Sequence, residues 1–109
     1  MKLTITARHF KAKDSLQSYI TEKMNELTKY NENILFADVI LTSENSNEDL
    51  ISCEIILTLK EKVLAAKESN GDSTKVFDIV YDKIEKQLYK YMDKIKNKKY
   101  IKENLKTKN

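Results

Sequence analysis

The sequence predicts an α+β fold: a two-layer sandwich in which two helices cover one face of a four-stranded sheet, in the order β-α-β-β-β-α. Four short segments alternate apolar and polar residues, which is typical of strands with one buried side. Two longer segments repeat apolar residues every three or four positions, which is typical of amphipathic helices. Because the sheet and each helix then have one apolar face, we expect the two layers to pack face to face.

The composition of the 109-residue chain fits one domain. Cys53 is the only cysteine, so an internal disulfide cannot form. No stretch approaches the roughly 20 apolar residues of a membrane span, and the first residues do not form an apolar signal segment. We therefore expect a cytoplasmic protein that does not bind a membrane. The formal net charge of +3 says little about a partner by itself.

The first half of the chain predicts a strand, a helix and a second strand. Residues 2–8 alternate in polarity. Their inner positions are Leu3, Ile5 and Ala7. A helix is predicted from Asp14 or Lys13 to about Lys29, because Asp14 places negative charge at the helix start and apolar residues follow at helical spacing. This apolar stripe consists of Leu16, Ile20, Met24 and Leu27. Residues 34–42 form the second predicted strand.

Two further strands are predicted before the last helix. The polar residues 43–49 predict a loop. Residues 50–60 alternate most regularly in the chain and form the third strand. After a turn at Glu61 and Lys62, residues 63–67 predict a shorter fourth strand, and Ser69 to Asp72 end the sheet.

The last third of the chain predicts one long helix, from residue 73 to about residue 99. Asp72 or Ser73 caps its start. Its apolar stripe consists of Phe77, Val80, Tyr81, Ile84, Leu88, Tyr91, Met92 and Ile95. Residues 97–109 are rich in Lys and Asn, and we expect them to form a disordered basic tail after a domain of residues 1–96.

The charged residues of this long helix are sorted by side. One flank of the apolar stripe carries Lys83, Lys86, Lys90 and Lys94, and the other carries Asp78, Asp82 and Glu85. Successive lysines are about 5–6 Å apart, which is comparable to the spacing of phosphates along RNA. Gln87 lies among them and can hydrogen-bond a base or a 2′-hydroxyl. The row suits an RNA backbone. A lysine face that is only solvated has the same pattern, so the sequence pattern alone fits either interpretation.

Residues for catalysis or metal binding are scarce. His9 ends the first strand, and Cys53 falls on the inner side of the third strand with no activating base nearby in the sequence. One cysteine and one histidine are too few for a zinc site. Asp78 and Asp82 are four residues apart and can share a cation, but an exposed charge network with Lys86 is the simpler interpretation. We expect no enzyme activity, no metal and no cofactor.

Two groups of residues resemble a known family. The first group is Ile5-Thr6-Ala7-Arg8-His9-Phe10, Asp14-Ser15-Leu16, Tyr19-Ile20, Lys23 and Leu27-Thr28-Lys29-Tyr30. The second group is Asp72, Val76-Phe77-Asp78, Asp82-Lys83-Ile84-Glu85-Lys86-Gln87-Leu88, Lys90 and Lys94. In order and spacing, residues 1 to about 96 resemble the bacterial ribosome hibernation factors of the sigma-54 modulation protein family, which include the short hibernation-promoting factor and the ribosome-associated inhibitor.

The resemblance implies a function and a fold. It implies binding to the small ribosomal subunit, through 16S rRNA in the mRNA and tRNA channel, which blocks initiation and preserves idle ribosomes under stress or in stationary phase. It implies no small-molecule substrate and no DNA partner. The family's β-α-β-β-β-α fold is like that of double-stranded RNA-binding domains.

The resemblance also implies which residues contact RNA. Besides Lys83, Lys86, Gln87, Lys90 and Lys94 of the long helix, these are Lys23 and Lys29 of the first helix and Arg8 of the first strand. The chain departs from the family at Glu61-Lys62, where relatives often have Gly or Asn, and at Glu26, where relatives can carry lysine. Two other functions stay open: a general double-stranded RNA-binding module, and a protein-interaction module that uses a sheet edge or residues 97–109.

Overall fold

The structure, a computed structural model, describes residues 1–29, 33–43 and 50–108, without the side chains of residues 28–29 and 95–108. The elements are β1 Lys2–Arg8, α1 Asp14–Lys29, β2 Ile34–Ser43, β3 Ile51–Leu59, β4 Val63–Asn70 and α2 Ser73–Lys108. This order confirms the predicted β-α-β-β-β-α arrangement. Most of the predicted loop at residues 43–49 lies outside the described residues.

The four strands form one mixed sheet in the order β1-β2-β3-β4. β1 and β2 are parallel, with Ile5 opposite Val39, because α1 returns the chain to the same end of the sheet before β2 begins. The pairs β2–β3 and β3–β4 are antiparallel. The turn between β3 and β4 is closed by the Leu59 N–H, which donates to the Lys62 carbonyl at 2.8 Å. As a result, β1 and β4 are the two edges of the sheet.

One apolar core lies between the sheet and the helices. The inner face of the sheet contributes fully buried side chains such as Val39 and Ile55, which lie opposite each other in the register. α1 contributes Ile20 and Met24, and α2 contributes the large ring of Phe77. The two-layer α+β sandwich is therefore confirmed.

Three details differ from the sequence-based expectations. Ala7 is exposed on β1, which is an edge strand and has a neighbouring strand on one side only. β4 continues to Asn70, since the polar residues Ser69 and Asn70 still pair with β3. The predicted last helix ends at about residue 99, but the backbone of α2 continues through Lys108. The division into a domain of residues 1–96 and a disordered tail of residues 97–109 stays a prediction. No Pro or Gly follows Gly71, so nothing in the sequence interrupts the helix.

The start of α2 follows the prediction. The backbone N–H groups of Thr74 and Lys75 donate to Oδ1 of Asp72 at 2.9 and 3.2 Å. Asp72 is therefore the capping residue, and its carboxylate satisfies amide groups that the first helical turn leaves without a partner. This cap fixes where the helix begins.

Candidate nucleic-acid interface

The lysine flank of α2 lies along the edge strand β4. The side-chain amide Nε2 of Gln87 donates to the backbone carbonyl of Ala65 at 3.0 Å. Lys83, one turn before Gln87, forms an ion pair with Glu68. These two contacts place the lysine flank of α2 at the β4 edge of the sheet.

The predicted lysine row divides into two halves. Lys83 is paired with Glu68, and the ammonium of Lys86 lies 3.0 Å from a carboxylate oxygen of Asp82, one turn earlier in the helix. Within the described part of the chain, neither Lys90 nor Lys94 has a carboxylate at ion-pairing distance. An exposed ion pair contributes only about 0–1 kcal/mol, so a phosphate can displace it. Lys90 and Lys94 need no such exchange, and they are the stronger candidates for anion binding.

A groove between β4 and α2 joins these free lysines to a third one. This β4–α2 groove has a volume of about 440 Å³. Its lining consists of Lys62, Val63, Leu64, Ala65, Gln87, Lys90, Tyr91 and Lys94. Among the residues that the structure describes, no carboxylate lines it. The ammonium of Lys62 lies 5.4 Å from the centroid of the Tyr91 ring, which is a cation–π distance. Three lysines therefore line one concave site.

Sequence reasoning missed Lys62 and Tyr91 as site residues. Tyr91 continues the apolar stripe of α2, so the helical pattern assigns it to the core, and it is indeed only partly exposed. Lys62 belongs to a turn 28 or more positions earlier in the chain than Lys90 and Lys94. Only the packing of β4 against α2 brings these residues together. The one feature of the sequence that pointed to Lys62 was the departure from the family's usual Gly or Asn at Glu61-Lys62.

Lys23 lies on the opposite flank of α2. Its ammonium is 5.1 Å from the centroid of the Tyr81 ring, at the junction of α1 and α2. At the same junction the Tyr19 hydroxyl donates to Oδ1 of Asp78 at 2.6 Å, and the Tyr19 ring meets Phe77 edge-on. The acidic flank of α2 thus faces α1, and α2 itself separates Lys23 from the lysine row.

Two tyrosines at this junction stay protonated over the usual pH range. The hydrogen bond to Asp78, together with burial, raises the pKa of Tyr19 to about 12. Burial and the neighbouring carboxylates Glu85 and Glu26 raise the pKa of Tyr81 to about 12. Both rings are therefore neutral, and the junction works as a structural contact between the helices.

Arg8 is also apart from the lysine row. Arg8 is exposed at the end of β1 and lies opposite Thr42. β1 and β4 are separated by two strands, or roughly 14 Å at the usual strand spacing. The Lys29 side chain lies outside the described residues. Of the eight predicted RNA-binding residues, the structure gathers Gln87, Lys90 and Lys94 in the groove, with Lys83 and Lys86 beside it.

The groups considered for catalysis do not line the β4–α2 groove. Cys53 is fully buried in the sheet, as predicted, and burial raises the pKa of its thiol to about 12. His9 ends β1 in the left-handed conformation, with φ of 66°. Over the described residues, no three His, Cys, Asp or Glu side chains come close enough to hold a metal ion. The helices in that same part of the chain include none that is long and apolar enough to span a membrane.

Known proteins resemble this chain in sequence and in fold. The Staphylococcus aureus (strain COL) protein named ribosome hibernation promotion factor is 28% identical over 85 residues, which are 78% of this chain and 45% of that protein. The matched segment therefore spans less than half the length of this relative.

Two solved structures share the fold. The N-terminal domain of Thermus thermophilus Protein Y matches with a TM-score of 0.72 and 22% identity, over 84% of this chain and 99% of that chain. A ribosomal subunit interface protein from Coxiella burnetii matches with a TM-score of 0.76 and 19% identity, over 85% and 99% of the two chains. These likenesses confirm the fold. The expected likeness to double-stranded RNA-binding domains stays a prediction.

The family assignment follows from the sequence profile that matches most of the chain. The profile described as Sigma 54 modulation protein / S30EA ribosomal protein aligns with residues 3–96. These residues contain the four strands apart from Lys2, the helix α1 and the first two-thirds of α2. This range includes the whole β4–α2 groove. The family agrees with the one that the sequence motifs indicate. The chain belongs to the Sigma 54 modulation protein / S30EA ribosomal protein family.

Proposed function

We propose that this protein is a ribosome hibernation factor that binds the small ribosomal subunit through 16S rRNA, with the β4–α2 groove as its main contact. The observation that carries the proposal is the group of three ammonium groups, from Lys62, Lys90 and Lys94, around a groove with no lining carboxylate in the described residues. The names of the S. aureus relative and of the C. burnetii structure support a ribosomal partner.

The groove suits an RNA backbone for electrostatic reasons. Lys90 and Lys94 are one helical turn apart, about 5–6 Å, so their ammonium groups can contact successive phosphates. Each neutralised phosphate releases condensed counterions, which favours binding and makes it weaker as salt rises. Lys83 and Lys86 extend the same row once their ion pairs open. Such contacts position a protein on RNA without reading its sequence.

Occupancy, rather than chemistry, is the proposed mode of action. A domain held in the mRNA and tRNA channel of the small subunit excludes mRNA and initiator tRNA, so initiation stops while the protein is bound. The idle subunit is preserved by the same occupancy. Lys23 and Arg8 lie away from the groove and would contact other RNA segments, which makes their contribution secondary.

Co-sedimentation with purified small subunits tests the proposal. We expect the double variant Lys90→Glu/Lys94→Glu to lose subunit binding at 0.1 M salt, because two attractive contacts become repulsive. The matched control is Lys11→Glu/Lys13→Glu, which makes the same charge change at exposed positions between β1 and α1. Equal binding by wild type and the groove variant, or equal losses in the groove variant and the control, would contradict the proposal.

A protein-interaction module is the second candidate, because the outer face of the sheet exposes apolar side chains. Phe36 is 48% exposed, and Val63, which also lines the β4–α2 groove at the sheet edge, is 58% exposed. Such residues favour contact with another protein. This candidate predicts that the partner is lost on changing Phe36→Ser but kept in the Lys90→Glu/Lys94→Glu variant, which is the reverse of the result expected for RNA binding.

A further inference from the structure

We propose that the β4–α2 groove binds single-stranded RNA, with one unpaired base stacked on the Tyr91 ring and the neighbouring phosphates on Lys90, Lys94 and Lys62. This inference rests on the proposed function and specifies the kind of RNA that the site accepts. It also gives a role to Tyr91, which sequence analysis assigns to the core.

Tyr91 is held in place but accessible. Its ring packs against the edge of the core, which fixes its position. It also lines two separate cavities: the β4–α2 groove and a neighbouring one of about 200 Å³ beside Leu59 and Lys60. A ring that is a wall of two open cavities offers surface to a ligand, and aromatic rings in basic grooves are the usual platforms for unpaired bases.

The ammonium of Lys62 marks the face of the ring that a base would cover. It lies 5.4 Å from the ring centroid, and Tyr91 as a whole is partly exposed. An exposed cation–π contact is worth roughly a two- to fivefold change in an equilibrium constant. A stacked base is worth roughly five- to 150-fold. A base can therefore displace Lys62 from the ring.

The displaced ammonium of Lys62 then becomes available to a phosphate. The backbone of Lys62 is fixed by the hydrogen bond that closes the β3–β4 turn, so the side chain alone has to move. It would face Lys90 and Lys94 across the groove. The anchored amide of Gln87 still has hydrogen-bonding capacity for a ribose 2′-hydroxyl. Base, phosphate and ribose thus each have a contact in one site.

This arrangement distinguishes single strands from duplexes. In an A-form duplex the bases are stacked on each other and their faces are closed, so only the backbone can contact the groove. A single strand offers the same phosphates together with open base faces. We therefore expect the groove to prefer single-stranded RNA over a duplex at equal phosphate number and equal salt.

The first experiment uses the unaltered protein, so that no variant has to fold. Binding is measured by fluorescence anisotropy for a 12-nucleotide RNA strand, for the same strand annealed to its complement, and for a strand of equal length and charge with abasic sites. We expect the abasic strand and the duplex to bind about tenfold more weakly than the single strand. Equal affinity for the single strand and the abasic strand would overturn the proposal. So would equally tight binding of poly-glutamate, which would indicate an acidic protein partner.

The second experiment assigns the stack to one ring. Tyr91→Leu is expected to lose about tenfold in affinity for the single strand and to leave binding of the abasic strand unchanged, whereas Tyr91→Phe keeps the affinity. Tyr89→Leu is the matched control, because Tyr89 is on the same helix, is 55% exposed and does not line the groove. Equal losses in the two leucine variants, or no loss in Tyr91→Leu, would overturn the assignment.

Failure of this inference can be told apart from failure of the proposed function. If Lys90→Glu/Lys94→Glu loses small subunits while Tyr91→Leu binds them and the single strand as wild type does, the proposed function stands and the stacking proposal is wrong. If the lysine variant still binds subunits like wild type, the proposed function is wrong whatever the oligonucleotides show.

Discussion

Neutralising the two halves of the lysine row should have unequal effects on RNA binding. The double variants Lys90→Gln/Lys94→Gln and Lys83→Gln/Lys86→Gln each remove two positive charges from the same helix flank. Lys83 and Lys86 are already paired with Glu68 and Asp82, so each must give up an attractive contact before it binds a phosphate. Lys90 and Lys94 have no such cost in the described structure, and they line the groove directly.

The size of the effect follows from counterion release. For a single strand, the slope of log K against log salt is about −0.7 for each phosphate contact, so losing two contacts reduces the slope by about 1.4. If wild type and variant bind equally at 1 M salt, this difference in slope makes the affinity of the variant roughly 25-fold lower than that of wild type at 0.1 M salt. We expect the Lys90/Lys94 double variant to show this full change and the Lys83/Lys86 variant to show a few-fold loss at most.

A salt titration of RNA affinity between about 0.05 and 0.3 M measures both the loss and the slope. Far-UV circular dichroism of each variant confirms that the helix is intact. Equal changes of slope in the two double variants would refute the reasoning that ion pairing divides the row. A larger change in the Lys83/Lys86 variant would show that the contact surface lies toward the start of α2 instead of in the groove.

Two further predictions concern stability. The fold raises the pKa values of Tyr19 and Tyr81 to about 12, so their contribution to the free energy of unfolding is complete below pH 10 and is lost as the pH rises toward 12. Urea unfolding at pH 8 and pH 11 should show this decrease, and the decrease should be smaller in Tyr19→Phe. A free energy of unfolding that does not depend on pH would contradict the prediction. Phe77→Ala should lower the free energy of unfolding by about 3–5 kcal/mol, because it removes a fully buried ring between α1 and α2. A loss below about 1 kcal/mol in thermal or urea unfolding would show that the ring is not packed as described.

The fold could be predicted because its elements depend on local patterns. Alternation in residues 2–8 and 50–60, and helical spacing in the long last segment, each indicate one element without reference to the rest of the chain. The prediction was wrong where tertiary pairing extends an element. Ser69 and Asn70 are polar turn formers, but the ladder to β3 keeps them in β4.

The candidate site could be predicted only in part. Helical spacing alone places Lys90 and Lys94 on one flank of α2. The partner of Lys83 is Glu68, on a strand, and Lys62 reaches Tyr91 across the groove; both contacts depend on how β4 meets α2. Charge pattern also could not show that Lys23 lies on the other side of α2, because that depends on the contact between Tyr19 and Asp78. Non-local packing decides these relationships, and the sequence pattern does not record it.

A chemical footprint of the protein on the RNA of the small subunit tests the central claim most directly. Small subunits are probed with and without the protein, and with the Lys90→Glu/Lys94→Glu variant at the same concentration. We expect wild type to protect 16S rRNA nucleotides that line the mRNA and tRNA channel, including nucleotides in single-stranded segments, and the variant to protect none of them. An unchanged reactivity pattern with wild type, or the same protections with the lysine variant, would contradict ribosome binding through the β4–α2 groove.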